Sequence, residues 1–295
     1  MRASVVVPSY NGLDKFPRLI DALTKQTVKD FETILVIDGS KDDSYKVASA
    51  NQWGLQNFNV IDSVNKGRSG ARNTGAKEAK TDLLIFVDDD IIPPPDFIAQ
   101  HIAALQQHDI VVGILEPDNN FNAHTEFVNF CSHLNDKWNN ESFYNTDEKA
   151  DITYITANNF SIKKKVFDHA GGFDERLRDA EDFDLALKVK ALGYQIQLDK
   201  NITAKHMVHG SFKQYFKRMK EYSAARDRLV EINPAAAQFF QKEEHQFSAA
   251  KKAVFYLFSF KFWGYLADRN MLTFLPSKLR FKMYDMMLTA NFLYR

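Results

Sequence analysis

The chain has a single cysteine, Cys131, in 295 residues. No internal disulfide can form, which fits a reducing compartment. With no partner motif around it, the thiol reads as a buried structural group rather than a nucleophile. Any run of about 20 apolar residues is also missing, so no helix is expected to span a membrane. Only three valines separate Met1-Arg2-Ala3-Ser4 from Pro8, too few for the apolar core of a secretion signal, and the expected location is cytoplasmic. Net charge is zero, with 38 Lys+Arg against 38 Asp+Glu. That balance conceals a division. Residues 1–204 carry 22 basic and 31 acidic side chains, residues 205–295 carry 16 and 7. The split points to two functional regions, the second suited to an anionic surface. At 45% hydrophobic and 26% charged, the chain is ordinary globular material with enough apolar residues for a core.

Short β-rich runs occur at Ser4–Val7, Glu32–Ile37, Asn59–Ile61 and Leu83–Val87. Between them Leu13–Lys25, Asp43–Trp53 and Ser69–Ala79 have helical spacing. This alternation predicts an α/β fold, a mostly parallel sheet with crossover helices. Ile110–Leu115 and Asp151–Ile162 continue the pattern. Residues 117–150, rich in Asn, Asp and aromatics, read as a loop-rich insertion with a short helix. Ala180–Leu192 reads as a helix ended by Gly193. Beyond His209 the chain turns helical and aromatic, with Phe212, Tyr215, Phe216, Met219 and Tyr222 on one face. The expected division is residues 1–210 and a helical appendage, 211–295.

The most informative junction is Asp88-Asp89-Asp90, directly after the buried-strand run Leu83–Val87. Three adjacent carboxylates at the carboxyl end of a parallel strand sit where such sheets bind ligands. A divalent cation would turn their repulsion into coordination; a solvated acidic turn is the alternative. Pro8 is expected to stop the first strand, leaving Tyr10 and Asn11 at the same edge. Asp38 ends the next strand as an acceptor for a nucleotide-base N–H. The basic, glycine-rich stretch Asn65-Lys66-Gly67-Arg68-Ser69-Gly70-Ala71-Arg72 opens a helix whose N-terminus favours phosphate. Arg68 and Arg72, four apart, share a face. Asp179-Ala180-Glu181-Asp182-Phe183-Asp184 holds four carboxylates in six residues, more than capping needs. One of them pointing inward would be a positioned base, with a pKa lowered by the helix dipole. His206 is a neutral-imidazole donor suited to Mn²⁺ beside carboxylates; His209 is the alternative, brought nearby if the segment is helical.

Taken in order, these segments resemble the family 2 glycosyltransferases of the GT-A fold. The resemblance is carried by Val6-Val7-Pro8-Ser9-Tyr10-Asn11, Asp38-Gly39-Ser40, Asn65-Lys66-Gly67, Ala71-Arg72-Asn73-Thr74-Gly75 and Phe86-Val87-Asp88-Asp89-Asp90. It continues through Ala157–Ile162, Gly171-Gly172-Phe173-Asp174-Glu175 and Glu181-Asp182-Phe183-Asp184-Leu185, and covers roughly residues 3–215. It implies inverting transfer from a nucleotide-diphosphate sugar to a glycan or lipid-linked acceptor, with Mn²⁺ or Mg²⁺ as cofactor. Asp38 would hold the base, and Pro8, Tyr10 and Asn11 would line the nucleotide pocket. Lys66, Arg68, Arg72 and Asp89 would attend the donor. Asp88, Asp90 and His206 would hold the metal, and Asp182 would be the catalytic base, with Glu181 beside it. Ile37 stands where many relatives have a second carboxylate, which leaves the identity of the nucleotide base open. A sugar-nucleotide nucleotidyltransferase and a non-catalytic nucleotide-sugar or glycan-binding module are the rival readings. Nucleic acid is not among the expected partners.

The tail from about residue 216 lies outside the resemblance. Its aromatics and lysines, from Val254 to Met287, are too polar to span a bilayer. They fit helices lying in a membrane interface, on the inner face, with lysines toward anionic head groups. Packing on the catalytic domain, or a homo-oligomer interface, is the alternative use of the same residues.

Overall fold

The structure is a computed structural model that describes residues 2–50, 53–118, 125–139, 151–208, 210–240 and 247–294. The first elements are β1 (Ser4–Ser9), α1 (Phe16–Thr24), β2 (Glu32–Asp38), α2 (Ser44–Ala50), β3 (Phe58–Ser63), α3 (Gly67–Glu78), β4 (Leu83–Val87) and β5 (Ile91–Ile92). Next come α4 (Phe97–Gln107), β6 (Ile110–Pro117), α5 (Glu126–Asn139), β7 (Asn159–Lys163), α6 (Lys164–His169), α7 (Glu181–Ala191) and β8 (Gln197–His206). Helices α8 (Phe212–Ile232), α9 (Ala249–Phe258), α10 (Lys261–Asp268) and α11 (Ser277–Tyr294) complete the chain, with a 3-10 turn at Pro234–Phe239.

The strands form one sheet in the order β3-β2-β1-β4-β7-β6-β8-β5. β3, β2, β1 and β4 run parallel, as do β6 and β8, while β7 is antiparallel to both β4 and β6 and β5 to β8. The expected mixed α/β architecture, mostly parallel with helices on both faces, is present. Alternation along each strand divides the core in two. Val6, Ile34, Val36, Phe86 and Phe160 face Phe167, Phe173, Leu185 and Val189. Val5, Val7, Leu35, Ile85 and Val87 face Phe16, Leu19, Phe97 and Ile98. Both faces are covered, so the strands read as unbroken apolar runs. Phe86 stacks on Phe160 at 4.8 Å and meets Phe173 edge-on at 5.5 Å.

Three expectations need correction. β1 does not stop at Pro8 but runs to Ser9, with Pro8 paired to Val36. Its ladder to β4 ends at Val6, so Pro8 has a strand on one side only, the edge-like situation in which a missing N–H is tolerated. In the span 117–150 the helix is longer than expected: α5 runs 14 residues, and Phe127, Phe130 and Leu134 pack as one stripe, while 119–124 and 140–150 lie outside the described residues. β8 follows α7 where no strand was expected, since Asp199, Lys200 and Asn201 interrupt its apolar residues.

Two compact units divide the chain. Met1–Pro117 with Trp138–Met207 contains the sheet; Asp118–Lys137 with Val208–Arg295 is helical. The helical unit has an aromatic core in which Tyr284 lies 4.5 Å from Phe212 and 5.3 Å from Phe130, ring centroid to centroid. Within it the buried Glu126 carboxylate accepts from Arg280 Nε at 2.7 Å and Nη2 at 3.0 Å, and from the Tyr284 hydroxyl at 3.3 Å. Cys131 is half-buried against this core, and burial pushes its thiol up to about 12. No helix among the described residues is long and apolar enough to cross a membrane.

Candidate active site

β2, β1 and β4 are parallel neighbours, so Asp38, Tyr10 and the Asp88–Asp90 run all emerge at one edge of the sheet. Asp38 is the last residue of β2. Its Oδ1 accepts the Lys66 N–H at 2.7 Å, and Asn65 Nδ2 donates to its carbonyl at 3.0 Å. Burial raises the Asp38 pKa, against the backbone N–H groups of Lys66 and Gly67. Gly39 turns the chain at φ +65°, and a Cβ there would stand 2.6 Å from the Asn65 nitrogen, so only glycine allows this approach. Asn11 adopts φ 47°, which asparagine tolerates, and its Oδ1 accepts from Lys41 N at 2.8 Å. Tyr10 is 44% exposed at the edge, and Pro8 is buried in the strand behind it.

The three aspartates have different partners. Asp89 is buried and turned back beneath the first turn of the chain: Ser9 Oγ donates to it at 2.6 Å and Lys15 Nζ lies 3.4 Å away. Burial, set against the Lys15 charge, pushes its pKa up to about 7. Gly12 makes this possible, since a Cβ would fall 2.3 Å from Asp89 Oδ2. Asp88 Oδ1 takes Arg72 Nη2 at 2.6 Å. Asp90 Oδ1 lies 3.7 Å from His206 Nε2, because β5 pairs with the end of β8 and sets Ile91 opposite His206. Burial opposes both charges, yet His206 beside it lowers the Asp90 pKa, and Asp90 and Asp88 raise that of His206. His206 therefore ends a strand rather than lying on a helix, and His209 lies outside the described residues.

Arg72 links this edge to α7. Its side chain is 2% exposed, and Nη1 reaches Glu181 Oε1 at 2.6 Å while Nη2 holds Asp88. Rather than offering an exposed donor contact, it is a buried cation between two carboxylates, 5.6 Å above the Phe173 ring. Arg68, one turn earlier, is half exposed and lies 3.5 Å from Asp179; Lys66 is exposed. Asn73 ties α3 to the segment before α7, donating to the Phe173 carbonyl at 2.9 Å and accepting its N–H at 3.0 Å. Asn73 and Phe173 belong to motifs visible in the sequence, but their mutual bond joins residues 100 apart, which no local pattern reveals.

Ala180 precedes the Glu181-Asp182 pair in the left-handed region, φ 62°. That conformation costs an alanine roughly 1–2 kcal/mol, and the tertiary bonds around it hold it there. Asp182 Oδ1 accepts the Phe183 N–H at 2.8 Å and Oδ2 that of Ala157 at 3.4 Å. Its pKa is not lowered, as the helix dipole alone suggests, but pushed up to about 7, by burial first and by Glu181 second, against Arg72. A carboxylate poised near neutrality suits a general base.

Carboxylate oxygen and imidazole nitrogen are donors that suit Mg²⁺ or Mn²⁺, and the Asp90–His206 pair presents one of each at one point. The pair fits such an ion. Among the described residues no three acidic, His or Cys side chains are grouped to hold one. The trio Asp88, Asp90 and His206 is represented here by that pair, with Asp88 turned to Arg72.

Comparison with known proteins gives a consistent result. The model of the family "Glycosyl transferase family 2" matches residues 4–171. A glycosyltransferase of Haemophilus influenzae described as uncharacterized is 31% identical over 198 residues, covering 63% of this chain and 61% of the relative. The O-antigen chain rhamnosyltransferase RfbN of Salmonella typhimurium is 25% identical, covering 74% of this chain and 70% of its own. The chain thus spans less than two thirds of the length of the Haemophilus protein. Among solved structures, the mannosyltransferase PcManGT of Pyrobaculum calidifontis, in complex with GDP-Man and Mn²⁺, superposes with a TM-score of 0.67 at 18% identity, over 99% of this chain and 86% of that one.

Proposed function

The chain belongs to glycosyl transferase family 2 and has the GT-A fold, and on that premise we propose that it transfers a sugar from a nucleotide-diphosphate donor to a hydroxyl of a glycan or lipid-linked acceptor, with inversion, in the assembly of a cell-surface polysaccharide. The observation that carries this reading is the meeting at one sheet edge of Asp38, the Asp88–Asp90 run and the Glu181-Asp182 pair, the last two joined through Arg72. The name of the Salmonella relative supports the product class, and the ligands of the Pyrobaculum protein support the donor class and the ion.

In this reading Asp38 accepts the N–H of the nucleotide base, while Pro8, Tyr10 and Asn11 line the nucleoside. Lys66 and Arg68, at the start of α3, attend the diphosphate. Asp90 and His206 would hold Mg²⁺ or Mn²⁺, which would neutralise charge gathering on the leaving diphosphate. Asp89 acts from beneath, fixing the turn through Ser9 and Lys15. Asp182 takes the proton of the acceptor hydroxyl as its oxygen attacks the anomeric carbon from the side opposite the diphosphate. Direct displacement inverts that centre without a covalent intermediate. Burial, and then Glu181, keeps the Asp182 pKa high, and Arg72 keeps Glu181 and Asp88 in register.

A panel of nucleotide sugars, each incubated with the protein in Mn²⁺ and in EDTA and assayed for released nucleotide diphosphate, tests the proposal. At least one donor is expected to be turned over in Mn²⁺ and spared in EDTA. Undiminished turnover in EDTA would remove the ion from the account, and inertness toward every donor would remove the transfer reaction.

A further inference from the structure

Helix α10 has its residues distributed the wrong way round for water. Its inner face is small: Gly264 and Ala267 are buried, and a Cβ on Gly264 would come 3.2 Å from the Phe216 ring of α8. Its outer face is large and apolar, with Phe262 at 59% and Tyr265 at 50% exposed. Phe262, Tyr265 and Arg269 fall at i, i+3 and i+7, one line along the helix. A helix lying on a water-soluble protein has the opposite polarity. The same inversion continues on both sides. On α9, Tyr256 and Leu257 are 58% and 54% exposed, and the turn after α10 leaves Phe274 78% exposed. Exposed apolar side chains clustered in this way mark an interaction surface rather than scattered surface residues.

Charge identifies the partner. Residues 249–284 hold seven Lys and Arg, of which Arg280 is paired with the buried Glu126, and one acidic residue, Asp268. The Asp268 carboxylate is occupied, accepting the backbone N–H of Phe212 at 2.6 Å and of Lys213 at 3.3 Å. Lys251, Lys252, Lys261, Lys278 and Lys282 are exposed between the aromatic side chains, and the Arg269 guanidinium lies 4.3 Å above the Tyr265 ring. The same face of a second copy would oppose these cations to their own kind. An anionic lipid surface meets both features, the apolar rings entering the head-group boundary and the cations meeting phosphates. No described helix is long and apolar enough to cross a bilayer, which leaves contact from one side.

We propose that α9, α10 and the segment that follows them through Lys278 form a docking surface for an anionic bilayer. The surface belongs wholly to the helical unit, and its action does not depend on the transfer reaction assigned to the sheet.

Co-sedimentation of the full-length protein with vesicles tests this, using phosphatidylcholine alone and phosphatidylcholine mixed with phosphatidylglycerol, at low and high salt. Two double variants accompany it: Phe262→Ser with Phe274→Ser, and Lys261→Glu with Lys278→Glu. All four positions are exposed, so thermal melts should match the wild type. Expected are binding to the anionic vesicles at low salt, little to the neutral ones, and a fall of about tenfold or more in lipid affinity for the charge variant. The ring variant should lose binding at low salt even though its cations are intact. If the ring variant melts early, the charge variant alone decides. Absence of binding to anionic vesicles, or unchanged binding by the charge variant, would overturn the proposal. So would a lipid-free dimer of the wild type abolished by the ring variant, because the face would then belong to a second copy. The readout is binding, so a negative result leaves the transfer reaction untouched, and failure of the donor panel leaves this surface untouched.

Discussion

The edge of the sheet and the helical unit handle charge in opposite ways. At the edge, charged groups are drawn inside and matched: Arg72 between Asp88 and Glu181, Asp89 on Ser9 and Lys15, Asp90 against His206. In the helical unit aromatic rings fill the interior, around the one buried Glu126–Arg280 pair described in it. Burying charge is costly unless it is paired, so a fold that gathers carboxylates and cations at one sheet edge is holding them for something other than stability. The helical unit, by contrast, is stabilised by packing and has left its apolar excess on the outside. Substitutions should therefore separate: at the edge they should change turnover, and in the helical core they should change stability.

The largest effect is expected at Asp182. Asp182→Asn removes the proposed base while keeping the side-chain shape, and the rate of transfer at saturating donor should fall by roughly 10²–10⁴-fold with donor affinity unchanged. A thermal melt sharpens the contrast. The Asp182 pKa is raised in the folded chain to about 7, so the ionised carboxylate weakens the fold as pH rises from about 4 to 7. Asp182→Asn is then expected to melt higher than the wild type at pH 8 and no higher at pH 4. Transfer at near wild-type rate by this variant would move the base elsewhere.

Arg72→Met is the substitution placed to break the separation. It leaves the buried Glu181 and the part-buried Asp88 carboxylates without their shared cation, a loss of about 3–5 kcal/mol. Chemical denaturation should register that loss in the sheet unit, together with reduced turnover, because Asp88 and Glu181 lose their common anchor. A variant that is stable yet inactive would instead place Arg72 on the donor itself. A smaller effect follows from pH. Below about 7 the rate at saturating donor should fall tenfold per pH unit as Asp182 takes up its proton, and above that it should level off. A flat profile in wild type would contradict the assignment. Least is expected from Tyr284→Phe in the helical core, which removes the bond to Glu126. It should cost about 1 kcal/mol, visible in denaturation and absent from turnover.

The same contrast governs how much the sequence reveals. The alternation from Ser4 to Val87 reads as a parallel sheet because the inner strands β1, β2 and β4 are apolar on both faces, and Asp38 and the Asp88–Asp90 run stand at strand ends as expected. What stayed hidden depends on contacts between distant segments. β8 carries Asp199, Lys200 and Asn201 within it and is a strand because β6 supplies its ladder. Asp89 looks like its two neighbours in sequence, yet Gly12, Ser9 and Lys15 draw it inward. Arg68 and Arg72 share a helix face, but one ends in solvent and the other between carboxylates. The raised pKa of Asp182 arises from burial and from Glu181 outweighing the local dipole, a balance only the fold sets. In the helical unit α5 was obscured by its polar composition, although Phe127, Phe130 and Leu134 carry its period.

The central claim is that the sheet edge holds a nucleotide diphosphate through a divalent ion on Asp90 and His206. Calorimetric titration of the full-length protein with UDP and with GDP, in Mn²⁺ and in EDTA, for wild type and Asp90→Ala, addresses it directly. The account requires that one of the two nucleotides bind in Mn²⁺, and that binding weaken by at least about a hundredfold both in EDTA and in Asp90→Ala, the scale of losing a direct charge contact. Equal affinity in Mn²⁺ and EDTA, or an Asp90→Ala variant that binds as the wild type does, would contradict it.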